Sequence, residues 1–315
     1  MVTVRPADNQ QQGFILIVVI WVMAMLSLAA VAVTRSVQAH IRHTAHQVNA
    51  QQSELAADAG VTLAMLELVK AQGRNDASAT AARRWPIDGS AVACAVDATT
   101  ALTISVQDAG GRISLNTGSE RLFQALFLGL GASADAARHA AAVLMDFRDA
   151  DELRRPLGAE KPEYLAARRT LGPKNEPFDA VEELHQVLDV DARTISAMKP
   201  HITLNSGTAG LDPRVTSAAL SELVARGASQ LPNAPLTSPA FGDQKATLPA
   251  EFIIGSPQRS FHIVVSAEVV GGAVFVRDAV VELAPGRDSV PNIKSWRRGV
   301  RSLGTPGPAN ALPPC

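Results

Sequence analysis

Hydrophobic positions form one uninterrupted block near the start of the chain. Residues 14–33 read FILIVVIWVMAMLSLAAVAV and carry no charge. At the α-helical rise of about 1.5 Å per residue, this block is about 30 Å long, which is the thickness of the hydrocarbon core of a bilayer. The pattern predicts a transmembrane segment at 14–33.

Beyond Thr34 the chain turns polar but keeps a helical period to about Ala71. Apolar residues recur there at multiples of three to four positions, at Val37, Ile41, Val48, Leu55, Leu63, Leu66 and Val69. This spacing is typical of an amphipathic helix. Together with the apolar block it predicts one helix of about 87 Å, in which 34–71 form an amphipathic stalk. The second half of the whole helix is expected to lie against a globular domain.

Strand patterns flank a long helical region. Two runs rich in β-branched residues, Ala91–Val96 and Leu102–Val106, predict the first strands of a sheet within 72–115. Two apolar runs around Gly271-Gly272 predict a β-hairpin within 227–286, after a loop rich in Pro, Ser and Ala.

Residues 116–226, between these strands, are expected to form an all-α insert. The periodicity is helical from Glu120 to Leu188, and a short helix is expected at about Pro213 to Arg226. Pro and Gly recur near the end of the chain, so we expect a flexible tail at 287–315. The predicted fold class is α+β, with a long N-terminal transmembrane and stalk helix and an antiparallel sheet that a large all-α insert interrupts.

The charge balance excludes a strongly basic binder of nucleic acid or of membrane surfaces. Lys and Arg number 29 against 30 Asp and Glu, a formal net charge of −1. No GxSxG, P-loop, HExxH or GxGxxG motif occurs in the chain. Enzyme classes that carry those motifs therefore have no support, and we predict that the protein is not an enzyme.

Histidines and cysteines offer two further candidate sites. His40, His43 and His46 recur every three residues on the predicted stalk helix and either meet a metal or form a polar face; the polar face is favoured, because nothing identifies the groups that would orient metal ligands. Cys94 lies in a predicted strand and Cys315 at the end of the chain. The sequence leaves their pairing open and favours free thiols, since a bridge would have to bring the tail back to the sheet.

The apolar block has three interpretations. A cleaved secretory signal would use the small residues at 30–32, but the leader at 1–13 carries one Arg and one Asp, and the block is longer than a usual signal core. Its length also suits a plain membrane anchor. The third interpretation is a prepilin-type segment that is cut on its N-terminal side, because the polar leader ends in Gly13 and the apolar helix begins at Phe14.

From this junction onward the chain resembles type IV pilin-like proteins, and specifically the minor pseudopilin K of type II secretion (general secretion pathway protein K, GspK). The resemblance extends to about Leu283, and its most specific later elements are Gly111-Arg-Ile-Ser-Leu-Asn-Thr, Asp146-Phe-Arg-Asp-Ala-Asp, Gly158-Ala-Glu-Lys-Pro-Glu-Tyr, Pro173-Lys-Asn-Glu-Pro-Phe and Val181-Glu-Glu-Leu. It implies a pilin-like α/β domain interrupted by the α-domain. It also implies that a prepilin peptidase cuts between Gly13 and Phe14 and that the new N-terminus, Phe14, is methylated.

Val18 occupies the position where most pilins carry a glutamate, five residues after the cut. A carboxylate in hydrocarbon costs several kcal/mol unless it is paired. In pilin-like fibres its partner is taken to be the N-terminal amine of the subunit above, and pseudopilin K lacks this glutamate as a rule. Val18 therefore suits a subunit that has no neighbour above it, at the tip of a fibre.

A cluster of acidic residues occurs within the predicted insert. It comprises Asp146, Asp149, Asp151 and Glu152, followed by Glu160 and Glu163. Calcium prefers such oxygen ligands, although the spacing is not that of an EF-hand. From the residues alone the alternatives are a metal site and a solvated acidic loop offset by Arg148, Arg154 and Arg155.

The resemblance favours the metal, since calcium is known in the α-domain of pseudopilin K. It implies a structural calcium bound by Asp149, Asp151 and Glu160, with Asp146 and Glu152 as lesser candidates. Lys161 stands where many relatives carry an acidic residue, which predicts that one site is weakened or lost.

A rival function comes from Leu126-Phe-Leu-Gly-Leu-Gly-Ala-Ser, which resembles the helix-hairpin-helix of DNA-binding proteins and would fit a membrane-anchored DNA-uptake protein. Between 116 and 152, however, six acidic residues oppose three Arg, and affinity for duplex DNA comes mainly from cations. The sequence therefore predicts no nucleic-acid partner.

The resemblance implies a function in assembly rather than in catalysis. The chain is expected to be a minor pseudopilin that initiates or caps the periplasmic pseudopilus of a type II secretion system. The expected partners are the minor pseudopilins I and J, other pseudopilins and the prepilin peptidase. A single pass through the inner membrane would leave the globular domain in the periplasm.

Overall fold

The computed structural model describes residues 10–72, 85–232, 248–284, 290–300, 303 and 309–315. The α-helices are α1 (Gln10–Gln72), α2 (Glu120–Gly129), α3 (Ala134–Arg148), α4 (Lys161–Ala166), α5 (Ala192–Met198) and α6 (Ala218–Ala228). The strands are β1 (Asp88–Ala95), β2 (Thr100–Asp108), β3 (Ile113–Ser114), β4 (Ile202–Thr203), β5 (Ser260–Val269), β6 (Ala273–Leu283) and β7 (Pro291–Arg298).

Helix α1 is 63 residues long, or about 94 Å at the standard rise. It passes through the Gly13-Phe14 junction without a break and ends at Gln72, which confirms the predicted helix to about Ala71. The part from Leu16 to Ala71 contains a segment that is apolar and long enough to cross a membrane: an 18-residue window in it has a mean hydropathy of 2.8, and none of that window is buried.

The face of α1 that packs on the sheet includes only two residues of the predicted apolar stripe, Leu63 and Val69. Five residues of that stripe are between 49% and 70% exposed, namely Val37, Ile41, Val48, Leu55 and Leu66. The buried positions recur mostly every three or four residues and are Ser53, Ala57, Gly60, Val61, Ala64 and Leu68. At Gly60 a Cβ atom would lie 2.7 Å from the Val265 side chain, so a side chain there would hold the helix off the sheet.

The sheet is antiparallel and, within the described residues, has five strands in the order β1-β2-β5-β6-β7. The predicted hairpin around Gly271-Gly272 is confirmed as β5 and β6. Arg277 on β6 fixes the stalk against the sheet, because its guanidinium lies 2.6 Å from Asp58 Oδ1 and 2.9 Å from Glu54 Oε1 of α1.

The chain between β2 and β5 forms the insert. It leaves the sheet after Asp108 and returns to it at Ser260, and Asp108 is directly paired with Phe261 in the register of β2 and β5. Inside the insert β3 pairs with β4 in parallel, Ile113 with Ile202. Among the described residues the buried apolar side chains form two clusters, one in the insert and one between α1 and the sheet.

The insert is less helical than predicted. Extended loops at 149–160 and 167–180 interrupt the region from Glu120 to Leu188, because Pro and Gly recur in them and stop the helices. The last helix begins later than predicted, after Ser217, whose hydroxyl accepts a hydrogen bond from the Leu220 amide. The insert core also includes Phe252, so it continues past the predicted boundary at residue 226.

The prediction of a flexible tail at 287–315 is wrong for its described parts. Strand β7 pairs with β6, and the last residues return to β1, where the amides of Ala95 and Cys315 donate hydrogen bonds of 2.8 Å to Pro313 and Ala95. Cys94 and Cys315 form a disulfide, which corrects the preference for free thiols. Strand pairing between distant segments decides both features, and a local pattern does not show such pairing.

Candidate functional site

The acidic loop, residues 149–160, lies between α3 and α4, and both helices are capped by side chains. The Ser133 hydroxyl accepts a hydrogen bond from the Ala136 amide at the start of α3. At the start of α4, Glu160 and Glu163 form a reciprocal capping box, in which the Glu160 amide lies 3.0 Å from Glu163 Oε2. Two fixed helix ends therefore set the path of the loop between them.

Asp146 anchors the loop from the last turn of α3. Its side chain is fully buried, and its Oδ2 accepts a hydrogen bond of 3.2 Å from the Arg155 amide. A Cβ atom at Gly158 would lie 2.0 Å from the same oxygen, so only glycine leaves room for this contact. Burial raises the pKa of Asp146 above its ordinary value. Asp146 thus holds the loop in place and has little capacity left for another ligand.

The Arg155 side chain lies among the carboxylates of the loop. Its Nη2 donates a hydrogen bond of 2.9 Å to Asp149 Oδ2. Its Nε is 3.2 Å from Asp146 Oδ1, but the N–H is not aligned for a hydrogen bond to that oxygen. The guanidinium therefore forms an ion pair with each of two acidic residues.

Two carboxylate oxygens at this site are buried and have no hydrogen-bond donor. They are Asp149 Oδ1 and Glu160 Oε1. Glu160 is only 3% exposed, and burial, then the charges of Asp146, Asp149, Asp151 and Glu152, raises its pKa to about 7. A buried acceptor without a donor is costly, and here negative charges surround it as well.

The other predicted ligands lie at the surface of the loop. Asp151 and Glu152 are exposed, and Asp151 Oδ1 accepts a hydrogen bond of 2.8 Å from the Leu153 amide. The structure therefore brings Asp146, Asp149 and Glu160 to the inside of the loop and leaves Asp151 and Glu152 at its rim.

Sequence reasoning missed one oxygen, Asn175 Oδ1, which is also buried without a partner. The Asn175 amide donates a hydrogen bond of 3.0 Å to the Phe147 carbonyl at the end of α3. Asn175 has a left-handed backbone with φ of 54°, a conformation that Asn tolerates better than most residues. The available signal in the sequence was not an acidic pattern but the position of Asn175 between Pro173 and Pro177, which indicates a turn.

The candidate ligands suit calcium in type, since they are carboxylate oxygens and two of them have no hydrogen-bond donor. They are not gathered into a finished ligand set: in the described part of the chain, no group of three or more His, Cys, Asp or Glu side chains is arranged to hold a metal ion. Within the described residues, His40, His43 and His46 likewise do not form such a group. His43 Nε2 instead lies 3.1 Å from Gln47 Nε2.

Helices α2 and α3 form the hairpin that suggested DNA binding, but the first glycine of its motif, Gly129, serves packing. A Cβ atom at Gly129 would lie 2.2 Å from the Leu223 carbonyl oxygen of α6, and one at Gly227 would lie 1.8 Å from the Ala125 carbonyl oxygen. Both glycines therefore let α2 and α6 approach closely inside the insert core.

The region that contains the acidic loop carries a family signature. Residues 101–206, from β2 to beyond β4, match the model of the family described as type II secretion system (T2SS), protein K. This match spans 106 of the chain's 315 residues. This confirms the resemblance seen in the sequence.

A curated relative from this protein K family agrees. Type II secretion system protein K of Pectobacterium carotovorum subsp. carotovorum is 26% identical over 208 residues. The match covers 62% of this chain and 63% of the length of that relative.

Among solved structures, the fold matches the crystal structure of the GspK-GspI-GspJ complex from the type 2 secretion system of enterotoxigenic Escherichia coli. The TM-score is 0.57 at 17% identity, over 82% of this chain and 99% of that chain. This likeness confirms the predicted α+β fold class. Nothing in these comparisons favours the DNA-binding alternative.

Proposed function

We propose that this chain is a minor pseudopilin that initiates or caps the periplasmic pseudopilus of a type II secretion system at its tip. The observation that carries the proposal is a protein K region on the same chain as a 63-residue helix with an unburied apolar block. The role is mechanical, namely anchoring and stacking, and we propose no catalytic step.

Helix α1 supports assembly with other subunits, because it has apolar residues on two faces. One face packs on the chain's own sheet, and the exposed stripe contains Ile41, Val48 and Leu55 at intervals of seven residues. Seven-residue spacing suits contact with a neighbouring helix. We propose that this stripe packs against the helices of neighbouring pseudopilins, including the minor pseudopilins I and J.

At the N-terminus we propose that prepilin peptidase cuts between Gly13 and Phe14, followed by methylation of Phe14. In support, Phe14 is 70% exposed and Val18 43% exposed on a helix with no other element of the described chain around it. Val18 needs no charged partner in the bilayer, so a subunit above is not required. The insert adds bulk that would block stacking on one side, which suits a tip position.

The proposed topology is one pass through the inner membrane with the globular domain in the periplasm. The Cys94–Cys315 disulfide supports it, since disulfides persist in oxidising compartments such as the periplasm.

Mass spectrometry of the chain purified from membranes tests this proposal. The expected mature protein starts at methylated Phe14, and a Gly13→Leu variant should stay uncut. An intact Met1 or a start near Val33 in the unaltered chain would contradict it. Expression together with the minor pseudopilins I and J should give a complex that Leu55→Glu weakens and Glu222→Gln, on the exposed side of α6, does not.

We also propose that the acidic loop binds calcium through Asp149 and Glu160, with Asp151 at the rim. The supporting observation is the pair of buried oxygens without donors. A bound calcium would supply positive charge that joins the end of α3 to the start of α4. Calcium at millimolar concentration should raise the melting temperature of the EDTA-treated chain, and magnesium at the same concentration should raise it less. An unchanged melting temperature would contradict the site.

A further inference from the structure

Arg155 is placed where a bound cation would lie. It contacts Asp149 Oδ2 at 2.9 Å and Asp146 Oδ1 at 3.2 Å. Within the described residues no other Lys or Arg forms an ion pair with either carboxylate. The loop therefore already holds one positive charge.

The remaining acceptors of the site point to a second cation as the ligand. Glu160 is only 3% exposed, and its Oε1 has no hydrogen-bond donor. Asp149 Oδ1 is likewise buried without a donor. Arg155 satisfies only the Oδ2 atom of Asp149. It leaves the other two buried oxygens unneutralised.

Calcium requires six to eight oxygen ligands at about 2.3–2.6 Å. A guanidinium that already occupies one side of Asp149 removes a ligand position and adds like-charge repulsion at close range. Both cations cannot use the same carboxylate oxygen in this geometry.

The geometry points to Arg155 as an internal cation that calcium must displace from Asp149 before it binds. This inference rests on the calcium site proposed above. The side chain is able to leave, because 41% of it is exposed. The loop need not open when it leaves, since the contact to Asp146 Oδ2 is made by the Arg155 backbone amide.

Arg154 offers a matched control. It is the preceding residue and has the same charge, but its Nη1 lies 3.4 Å from Glu163 Oε1 on the outside of the loop, and 54% of its side chain is exposed. A change in overall charge alters both variants equally. A change specific to the inside of the loop alters only the Arg155 variant.

The experiment is calcium titration by isothermal calorimetry on the full chain in detergent after EDTA treatment. Arg155→Gln should bind calcium about tenfold more tightly than the unaltered chain, as expected when one partly buried ion pair no longer has to be broken. Arg154→Gln should leave the affinity unchanged. Arg155→Lys keeps the charge but lacks the forked guanidinium, so its calcium affinity should lie between those of the unaltered chain and Arg155→Gln. It also serves as a second variant if Arg155→Gln has a folding defect.

A second measurement uses the melting temperature. Without calcium, Arg155→Gln should melt below the unaltered chain, and calcium should raise its melting temperature by the larger amount. Equal or weaker calcium affinity in Arg155→Gln, with binding intact in the unaltered chain, would overturn the inference and leave the calcium site standing. Absence of binding in every variant would overturn the calcium site and this inference together.

Discussion

Glu160 shows how one residue links folding to charge. It caps α4 through the capping box with Glu163, yet it is buried beside other carboxylates and its pKa is raised from 4.5 to about 7. The folded protein therefore keeps a proton at Glu160 between pH 4.5 and 7 that the unfolded chain has already released. Each unit by which the pH rises in that window therefore lowers the free energy of unfolding.

We predict that the metal-free chain loses stability as pH rises from 4.5 to 7, and that Glu160→Gln removes much of this loss. The free energy of unfolding that the titration of Glu160 can remove across this window is at most on the order of 3 kcal/mol. Glutamine keeps an oxygen for the cap, so helix α4 should persist. Urea unfolding at both ends of the window measures the effect, with Glu222→Gln as an exposed control. Equal pH slopes in Glu160→Gln and the unaltered chain would contradict the prediction.

At this scale the sequence predicted which acidic residues share one loop better than which contacts they make. Asp149 and Glu160 were predicted from the motif, but Asp151 and Glu152 look the same in sequence and lie at the rim. Arg155 appeared as one of three arginines that offset acidic charge. Its contacts with Asp146 and Asp149 depend on the path of the loop, which Gly158 fixes by leaving room over Asp146.

Among the elements, α1 shows that helical periodicity does not reveal what a helix packs against. Five large apolar residues of its predicted stripe are exposed, and its contact with the sheet combines small residues such as Ala57 and Gly60 with Val61 and Leu68. A pattern search favours the large residues, because their spacing carries the stronger signal. The spacing of the large apolar residues therefore predicted the length of the helix but not the face that packs on the sheet.

Gly60→Leu should destabilise the packing of α1 on the sheet. The new side chain would collide with Val265, whose Cγ1 is 2.7 Å from the Cβ position, and with Leu102 at 3.1 Å. Overpacking of this kind costs about 1–3 kcal/mol. Thermal unfolding followed by circular dichroism measures the loss. Ala59→Leu, one residue away on the exposed side, should unfold at nearly the same temperature as the unaltered chain; a similar loss in both variants would argue against close packing at Gly60.

Over the whole molecule, strand positions and the local β5–β6 hairpin were predictable, and the pairing of distant strands was not. The patterns at 91–96 and 102–106 identify β1 and β2, but the neighbour of β2 across the sheet is β5, on the far side of the insert. Strand β7 and the return of the chain end to β1 were missed because Pro and Gly conceal short extended segments. Such pairings depend on contacts between distant residues, and a local window holds no information on them.

The Cys94–Cys315 disulfide joins residues 221 positions apart, so it closes a large part of the chain into a loop. We predict that Cys315→Ser lowers the free energy of unfolding by about 2–5 kcal/mol and leaves the β1 edge open. Denaturant unfolding with and without reductant measures the loss of unfolding free energy. Reductant should lower the stability of the unaltered chain and leave that of Cys315→Ser unchanged. Two titratable thiols in the unreduced, unfolded chain would contradict the bridge.

The register of Asp108 with Phe261 has a consequence for how such a chain changes over time. Because the insert departs from and rejoins the sheet at adjoining positions, its length can grow or shrink without moving either strand. The sheet and stalk keep the dimensions that stacking demands, while the insert is free to acquire new loops and ligands. In the proposed pseudopilin, the parts that stack in the fibre and the part at its tip would thereby be separated, so that selection can alter them one at a time.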